Sequence, residues 1–80
     1  MKIYLVSQDS YEYDTFDSMV VAAKDEDEAR DIHPFGMGWP LWNLDVNVWV
    51  KYEDRDKLTV SVLGSTRLKK GVIHTSFNAG

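Results

Sequence analysis

The sequence contains no cysteine, so the chain has neither a disulfide framework nor a thiolate metal site. It has no run that approaches the roughly 20 apolar residues of a membrane span. Its first residues, MKIYLVSQDS, hold too short an apolar run for a signal peptide. These absences predict a soluble intracellular protein. Basic residues are scarce as well: nine Lys and Arg stand against 13 Asp and Glu. The resulting pI of about 4.9 is far below that expected of a nucleic-acid-binding domain.

Apolar residues, by contrast, are plentiful. They make up 44% of the chain, and aromatic residues make up 12%, which argues against disorder. Eighty residues are enough for one domain, residues 1–80. A domain of this size buries only about 60% of the surface that its unfolded chain exposes. We therefore expect a single, thin hydrophobic core.

The clearest local pattern is a strand that leads into a short acidic helix. Residues 16–24 include the apolar run MVVAA, which is typical of a strand covered on both faces. Asp25 and Glu28 have the spacing of a capping box, with Asp in the place usually taken by Ser or Thr. This spacing predicts a helix over residues 26–33.

The helix is expected to be one-sided. Ala29 and Ile32 lie three residues apart and can face a sheet together. His33 precedes Pro34, and the residue before a proline avoids helical geometry, so the helix is expected to end there.

Four further strands are predicted. Residues 2–8, KIYLVSQ, are apolar on both sides and indicate a central strand. Residues 45–52, DVNVWVKY, alternate apolar and polar side chains and are expected to form a hairpin with 58–63 across a charged turn at 53–57. Residues 72–77 form the last strand, after a basic loop. The order β-β-α-β-β-β predicts a two-layer α+β domain in which one short helix packs on a mostly antiparallel sheet.

Residues 34–44, PFGMGWPLWNL, combine both prolines with two glycines, so regular structure is not expected there. Two interpretations of the apolar side chains stay open. In one, the loop folds over the end of the core. In the other, Trp39 or Trp42 is an exposed anchor for a partner, since tryptophan is enriched at interface hot spots.

Charge is distributed unevenly along the chain. Residues 1–50 hold ten acids and three bases, a balance of −7, whereas residues 51–80 hold three acids and six bases, a balance of +3. One interpretation is that DEDE is only a solvated first turn, where acidic side chains are common. The other is a carboxylate-rich strip that imitates nucleic acid and occupies a partner's phosphate-binding lysines and arginines. The candidate strip comprises Asp14, Asp17, Asp25, Glu26, Asp27, Glu28 and Asp31.

Residues with catalytic or metal-binding chemistry do not converge in the sequence. His33 has no second histidine at zinc-site spacing, and His74 is expected to be an ordinary sheet residue. The glycines form no phosphate-binding motif. The basic segment STRLKKG is too small a footprint for direct nucleic-acid binding. We therefore predict no catalytic residue, no metal site, no cofactor and no enzymatic activity.

Two stretches, YDTFDSMVVAAKDEDEARDIHP at 13–34 and KGVIHTSFNAG at 70–80, resemble small accessory proteins of bacteriophages and prophages. Proteins of that group have a YDTYDS-type segment, a VVAA-type strand, an acidic EEAR helix, a His-Pro stop and a SFNAG-like end. With the N-terminal KIYLVSQD, the resemblance covers about half of the chain, and residues 35–69 match nothing in it. The resemblance implies a phage protein in the host bacterial cytoplasm, and anti-CRISPR inhibitors are the leading example of such small acidic proteins.

Two hypotheses of function follow. The first is an anti-CRISPR-type inhibitor whose acidic surface binds a basic, nucleic-acid-binding subunit of a host CRISPR effector and blocks nucleic-acid access. The alternative is a small phage structural or assembly module that forms a homo-oligomer, since an open sheet leaves unpaired edges. Neither hypothesis requires a membrane or direct binding of nucleic acid.

Overall fold

A computed structural model of the chain describes residues 1–8, 15–36, 41–42 and 48–78. Along these ranges the elements follow one another as strand β1 (Lys2–Ser7), strand β2 (Thr15–Ala23), helix α1 (Glu26–Arg30), a 3₁₀ helix (Tyr52–Lys57), strand β3 (Thr59–Ser65) and strand β4 (Gly71–Asn78).

The strands form one antiparallel sheet in the order β3-β1-β2-β4. β1 lies inside the sheet, which confirms the prediction of a central strand. Tyr4 of β1 lies opposite Val21 of β2 on one side and Val62 of β3 on the other. The register between β1 and β3 shifts between Ile3 and Tyr4. The sheet and the short helix together confirm the α+β class.

The hydrophobic core lies on the sheet face that α1 covers. Tyr4 and Val6 alternate along β1 and are buried there, opposite Val21 and Met19 of β2. The period of two between buried positions is that of a pleated strand. Ala23 at the end of β2 is also fully buried, so the chain passes from β2 to α1 at the edge of the core.

Helix α1 is shorter than predicted, because it ends at Arg30 and not at residue 33. Ala29 and Ile32 are nevertheless both buried, as the spacing predicted. The chain leaves the helix through a tight turn in which the Gly36 N–H donates to the His33 carbonyl at 2.7 Å. Gly36 has a φ of +77°, which a residue with a side chain rarely adopts.

The strand predicted over residues 45–52 is wrong for its described part, residues 48–52, which form no strand. Val48 and Trp49 are neighbours and yet both are buried, at 8% and 2% exposed, whereas a strand with one wet face would expose one of them. Single contacts hold this segment instead of a ladder: the Val48 carbonyl accepts the Phe16 N–H at 3.0 Å.

The hairpin predicted between 45–52 and 58–63 is wrong for the described residues as well. β3 pairs with β1, and the predicted charged turn at 53–57 belongs to the 3₁₀ helix. The physical reason is that the apolar β1 offers β3 a buried neighbour, with Val60 opposite Val6. Residues 43–47 lie outside the described part of the chain.

Trp42 lies in the core, with 1% of its surface exposed. Its indole N–H donates to the Val50 carbonyl at 2.9 Å, and its ring meets His33 edge-on at 5.1 Å. At this point the loop folds over the core, as one of the two interpretations predicted. The structure therefore corrects the interpretation of Trp42 as an exposed anchor, because its ring has no free surface. Trp39 lies outside the described residues.

Candidate functional site

A cleft of about 310 Å³ separates α1 from the 3₁₀ helix. Four carboxylates and two guanidiniums line it, so its formal charge is −2. Tyr52 supplies an aromatic wall. The charged lining residues are Asp27, Arg30, Asp31, Glu53, Arg55 and Asp56.

The start of α1 is fixed by two side chains of the candidate strip. The Asp25 carboxylate accepts the Glu28 N–H at 2.8 Å, which is the N-cap bond that the sequence predicted. The Glu28 carboxylate accepts the Lys24 N–H at 3.1 Å, one residue before the position that a capping box usually binds. Asp25 and Glu28 thus have a structural role in addition to their charge.

Arg55 connects the 3₁₀ helix to α1. Its guanidinium donates to the Asp31 carboxylate and, through Nε, to the Tyr52 carbonyl at 2.7 Å. It also lies over the Tyr52 ring, 3.5 Å from the ring centroid, which is a cation–π contact. These contacts hold the two walls of the cleft together and fix the position of Asp31.

Arg30 lies on the α1 wall of the cleft. It forms an i,i+4 ion pair with Glu26 at 3.7 Å, and its Nε is buried without a hydrogen-bond partner. A long, half-exposed pair of this kind is expected to contribute only a few tenths of a kcal/mol to stability. The exposed carboxylate of Asp27 lies in the same turn of the helix. Its charge is therefore available on the surface beside the cleft.

Most of the predicted strip comes together on α1 and its caps. Asp17 is different: it lies half-buried on β2, where its carboxylate accepts the Ser18 hydroxyl at 3.2 Å, and it does not line the cleft. Asp14 lies outside the described residues. Glu53 and Asp56, which the sequence interpretation left out of the strip, line the cleft from the 3₁₀ helix. We define the acidic surface as Asp25, Glu26, Asp27, Glu28, Asp31, Glu53 and Asp56 with the two arginines Arg30 and Arg55.

Sequence reasoning misses Glu53 and Asp56, because the pattern of EDRDK predicts only a charged turn. Asp31 and Arg55 are 24 residues apart in the chain, and no local spacing links them. The mixed signs in EDRDK are the available signal, since alternating charges indicate an exposed helix with ion pairs rather than a plain turn.

The two histidines lie in different environments, and His33 lines a second cleft together with Asp31 and Lys70. His33 is 1% exposed, and its Nδ1 accepts the Phe35 N–H at 3.0 Å, so the imidazole packs as a core residue. His74 is exposed on β4. Among the described residues no group of three or more His, Asp or Glu side chains is placed to hold a metal ion. The acidic surface is therefore the most distinctive candidate site.

Comparison of the chain with protein-family models, with curated proteins and with solved structures found no significant match. None of the described helices has the length and apolar character needed to cross a membrane.

Proposed function

We propose that this chain is a binding protein that docks its acidic surface onto a basic surface of a protein partner. One observation carries the proposal. The acidic surface holds seven carboxylates and two guanidiniums, a balance of −5, whereas the whole chain carries −4. The other charged residues that the structure describes are two acids and seven bases, a balance of +5. Among the described residues, negative charge is therefore concentrated on the acidic surface.

Concentrated charge of one sign favours encounter with a surface of the opposite sign and suppresses wrong partners. Carboxylates pair with Lys and Arg through charge-assisted hydrogen bonds, as phosphates do. A protein that displays such a surface competes with nucleic acid for the same basic site. We infer that the partner is a basic, nucleic-acid-binding subunit of a host CRISPR effector in the bacterial cytoplasm, and that the chain acts as an anti-CRISPR-type inhibitor.

The internal contacts of the acidic surface support this role. Asp25 and Glu28 cap α1, and Arg55 fixes Asp31, so these carboxylates are held in place before a partner arrives. Side chains that are already ordered lose less conformational entropy on binding. The same contacts identify Glu26 and Asp27 as the side chains to change, since neither of them caps the helix.

The test is a pull-down of purified CRISPR effectors by the full chain, with phage plating on immune hosts as the cellular readout. We expect Glu26→Gln with Asp27→Asn to weaken effector binding by about tenfold, which corresponds to about 1.4 kcal/mol. This variant changes the net charge by two units and keeps the shape of both side chains.

The matched control changes the net charge by the same amount elsewhere. Leu68→Lys with His74→Lys adds two positive charges at exposed positions outside the acidic surface. We expect this variant to bind nearly as well as the unchanged chain. An equal loss of effector binding in both variants would mean that binding depends on net charge alone and not on the acidic surface. Absence of binding to every effector, with unchanged phage plating, would count against the proposal.

A further inference from the structure

His33 is an ionisable side chain inside the hydrophobic core. It is 1% exposed and belongs, with Trp42 and Met19, to the largest fully buried side chains of the described part of the chain. Its ring packs on two aromatic rings, with centroid distances of 5.1 Å to Trp42 and 5.6 Å to Phe35. Burial disfavours the charged form of a histidine, because the charge loses the water that solvates it. These surroundings therefore suit a neutral imidazole.

One hydrogen bond places the proton of that neutral ring. The Phe35 N–H donates to His33 Nδ1 at 3.0 Å, so Nδ1 presents its lone pair and the ring proton lies on Nε2. A second proton can bind only at Nδ1, where it would meet the Phe35 N–H as one donor facing another. Protonation of the His33 ring therefore breaks this hydrogen bond and leaves the Phe35 N–H without its acceptor.

The bond from Phe35 is one of two that close the turn at residues 33–36. The other runs from the Gly36 N–H to the His33 carbonyl at 2.7 Å. Both bonds end on His33, so this residue holds the turn through its side chain and through its backbone. The turn also places Phe35 against Phe16 of β2, with ring centroids 5.2 Å apart. Loss of the bond to Nδ1 therefore weakens the packing of the turn on the sheet.

The neighbouring charges do not compensate for an imidazolium at this position. The second cleft, of about 290 Å³, brings Asp31 and Lys70 to the side of His33. The Asp31 carboxylate would favour the imidazolium, but it already accepts a hydrogen bond from the Arg55 guanidinium. Lys70 and Arg55 thus set two positive charges against one negative charge. Two further titratable residues on the neighbouring strands do not line this cleft, Asp17 of β2 and His74 of β4.

We propose that His33 is an acid-sensitive switch of the turn at residues 33–36. The closed turn holds a neutral imidazole, whereas the opened turn exposes the ring to water, where a histidine takes up a proton near about pH 6.5. Because the opened form binds this proton and the closed form excludes it, opening becomes more favourable as the pH falls. The closed turn is therefore most stable above about pH 6.5 and loses stability progressively below it. The proposal does not rest on the acidic-surface function, because each readout uses the chain alone.

Hydrogen exchange of the Phe35 amide measures the opening, since this N–H is the donor to Nδ1. Uptake of one proton near about pH 6.5 raises the opening constant about thirtyfold between pH 7.5 and pH 5.0. We expect the protection factor of the Phe35 amide, which is corrected for the intrinsic exchange rate, to fall by the same factor. The amides of β1 are expected to stay better protected than that of Phe35 at about pH 5.0, because β1 pairs with β2 and β3 and not with the turn.

His33→Asn tests the assignment to this side chain. Asparagine offers an acceptor oxygen close to the position of Nδ1 and does not titrate, so the pH dependence of Phe35 protection is expected to disappear. The matched control is His74→Asn, which makes the same substitution at the other histidine, an exposed residue on β4. This control is expected to keep the whole pH dependence.

Nitrogen-15 NMR of the unchanged chain is a second readout, and it needs no variant at His33. We expect the His33 ring of the closed form to keep an unprotonated Nδ1 and a protonated Nε2 down to about pH 5.0, as the bond from Phe35 requires. The exposed ring of His74 provides the internal reference.

Four results would overturn the proposal. The first is protection of the Phe35 amide that stays constant over this pH range. The second is a closed turn in which the His33 ring carries both protons, which would mean that the core accepts an imidazolium. The third is a pH dependence that His33→Asn keeps or that His74→Asn removes. The fourth is equal protection of the Phe35 and β1 amides in acid, because the whole domain would then unfold and not the turn.

Discussion

Trp42 contacts residues that come both before and after it in the chain. Its ring lies edge-on to His33 at 5.1 Å and to Tyr52 at 5.7 Å, and its N–H donates to the Val50 carbonyl. Tyr52 in turn carries Arg55 over its ring. The buried indole of Trp42 thus positions Tyr52, the first residue of the 3₁₀ helix. The 3₁₀ helix in turn forms one wall of the acidic cleft.

Replacing Trp42 by Phe removes the N–H donor and part of the ring. We expect the free energy of unfolding to fall by about 1–3 kcal/mol, since the Val50 carbonyl loses its partner inside the core. Urea unfolding followed by circular dichroism measures the change. Leu41→Ala is the control: Leu41 is the neighbouring residue but is 52% exposed, and the expected loss is within about 0.5 kcal/mol. Equal losses at both positions would contradict the placement of Trp42 in the core.

At the scale of elements, periodic patterns predicted the strands well and failed in the middle of the chain. β1, β2, β3 and β4 each begin within one residue of the predicted start. In β1 the buried positions follow a period of two. The alternation in DVNVWVKY was just as regular, yet residues 48–52 are not a strand. Trp49 packs inward beside Val48, and local alternation contains no information about which tertiary contacts a tryptophan finds.

The candidate site was predictable to a similar extent. The acidic part of α1 followed from capping chemistry, since Asp25 and Glu28 bind backbone N–H groups at the helix start. The second wall did not follow, because the link between Asp31 and Arg55 joins segments that only the fold brings together. Sequence patterns act over a few residues, whereas a cleft between two helices is a tertiary feature.

We expect the Asp25 side chain, which caps α1, to stabilise the fold. Asp25→Ala removes the carboxylate that accepts the Glu28 N–H, and we expect a loss of about 1 kcal/mol in the free energy of unfolding. Asp27→Ala is the matched control, because it removes an acid from the same turn without removing a cap bond. Its expected loss is smaller, about 0.3 kcal/mol from the helix dipole. A thermal or urea unfolding series that ranked the two variants in the opposite order would contradict the assigned cap.

We expect the ion pair between Asp31 and Arg55 to couple α1 to the 3₁₀ helix. A double-mutant cycle with Asp31→Asn and Arg55→Met measures the coupling between the two side chains. We expect about 0.2–1 kcal/mol in low salt, because the side chains are 53% and 27% exposed and solvent screens the pair. The coupling is expected to shrink as ionic strength rises. A coupling of zero in low salt would show that the two walls of the cleft are positioned independently.

At the scale of the whole molecule, the distribution of charge distinguishes one surface. The acidic surface carries −5, and the other charged residues that the structure describes sum to +5.

Competition for nucleic acid tests the central claim most directly. A purified CRISPR effector is bound to fluorescently labelled target DNA, and the full chain is titrated in while the fluorescence anisotropy is recorded. The acidic-surface account predicts that the chain displaces the DNA. It also predicts that higher salt weakens the chain's own binding to the effector, and that Glu26→Gln with Asp27→Asn raises the half-inhibitory concentration about tenfold. DNA that stays bound at saturating chain with every effector, or displacement that this variant leaves unchanged, would contradict it.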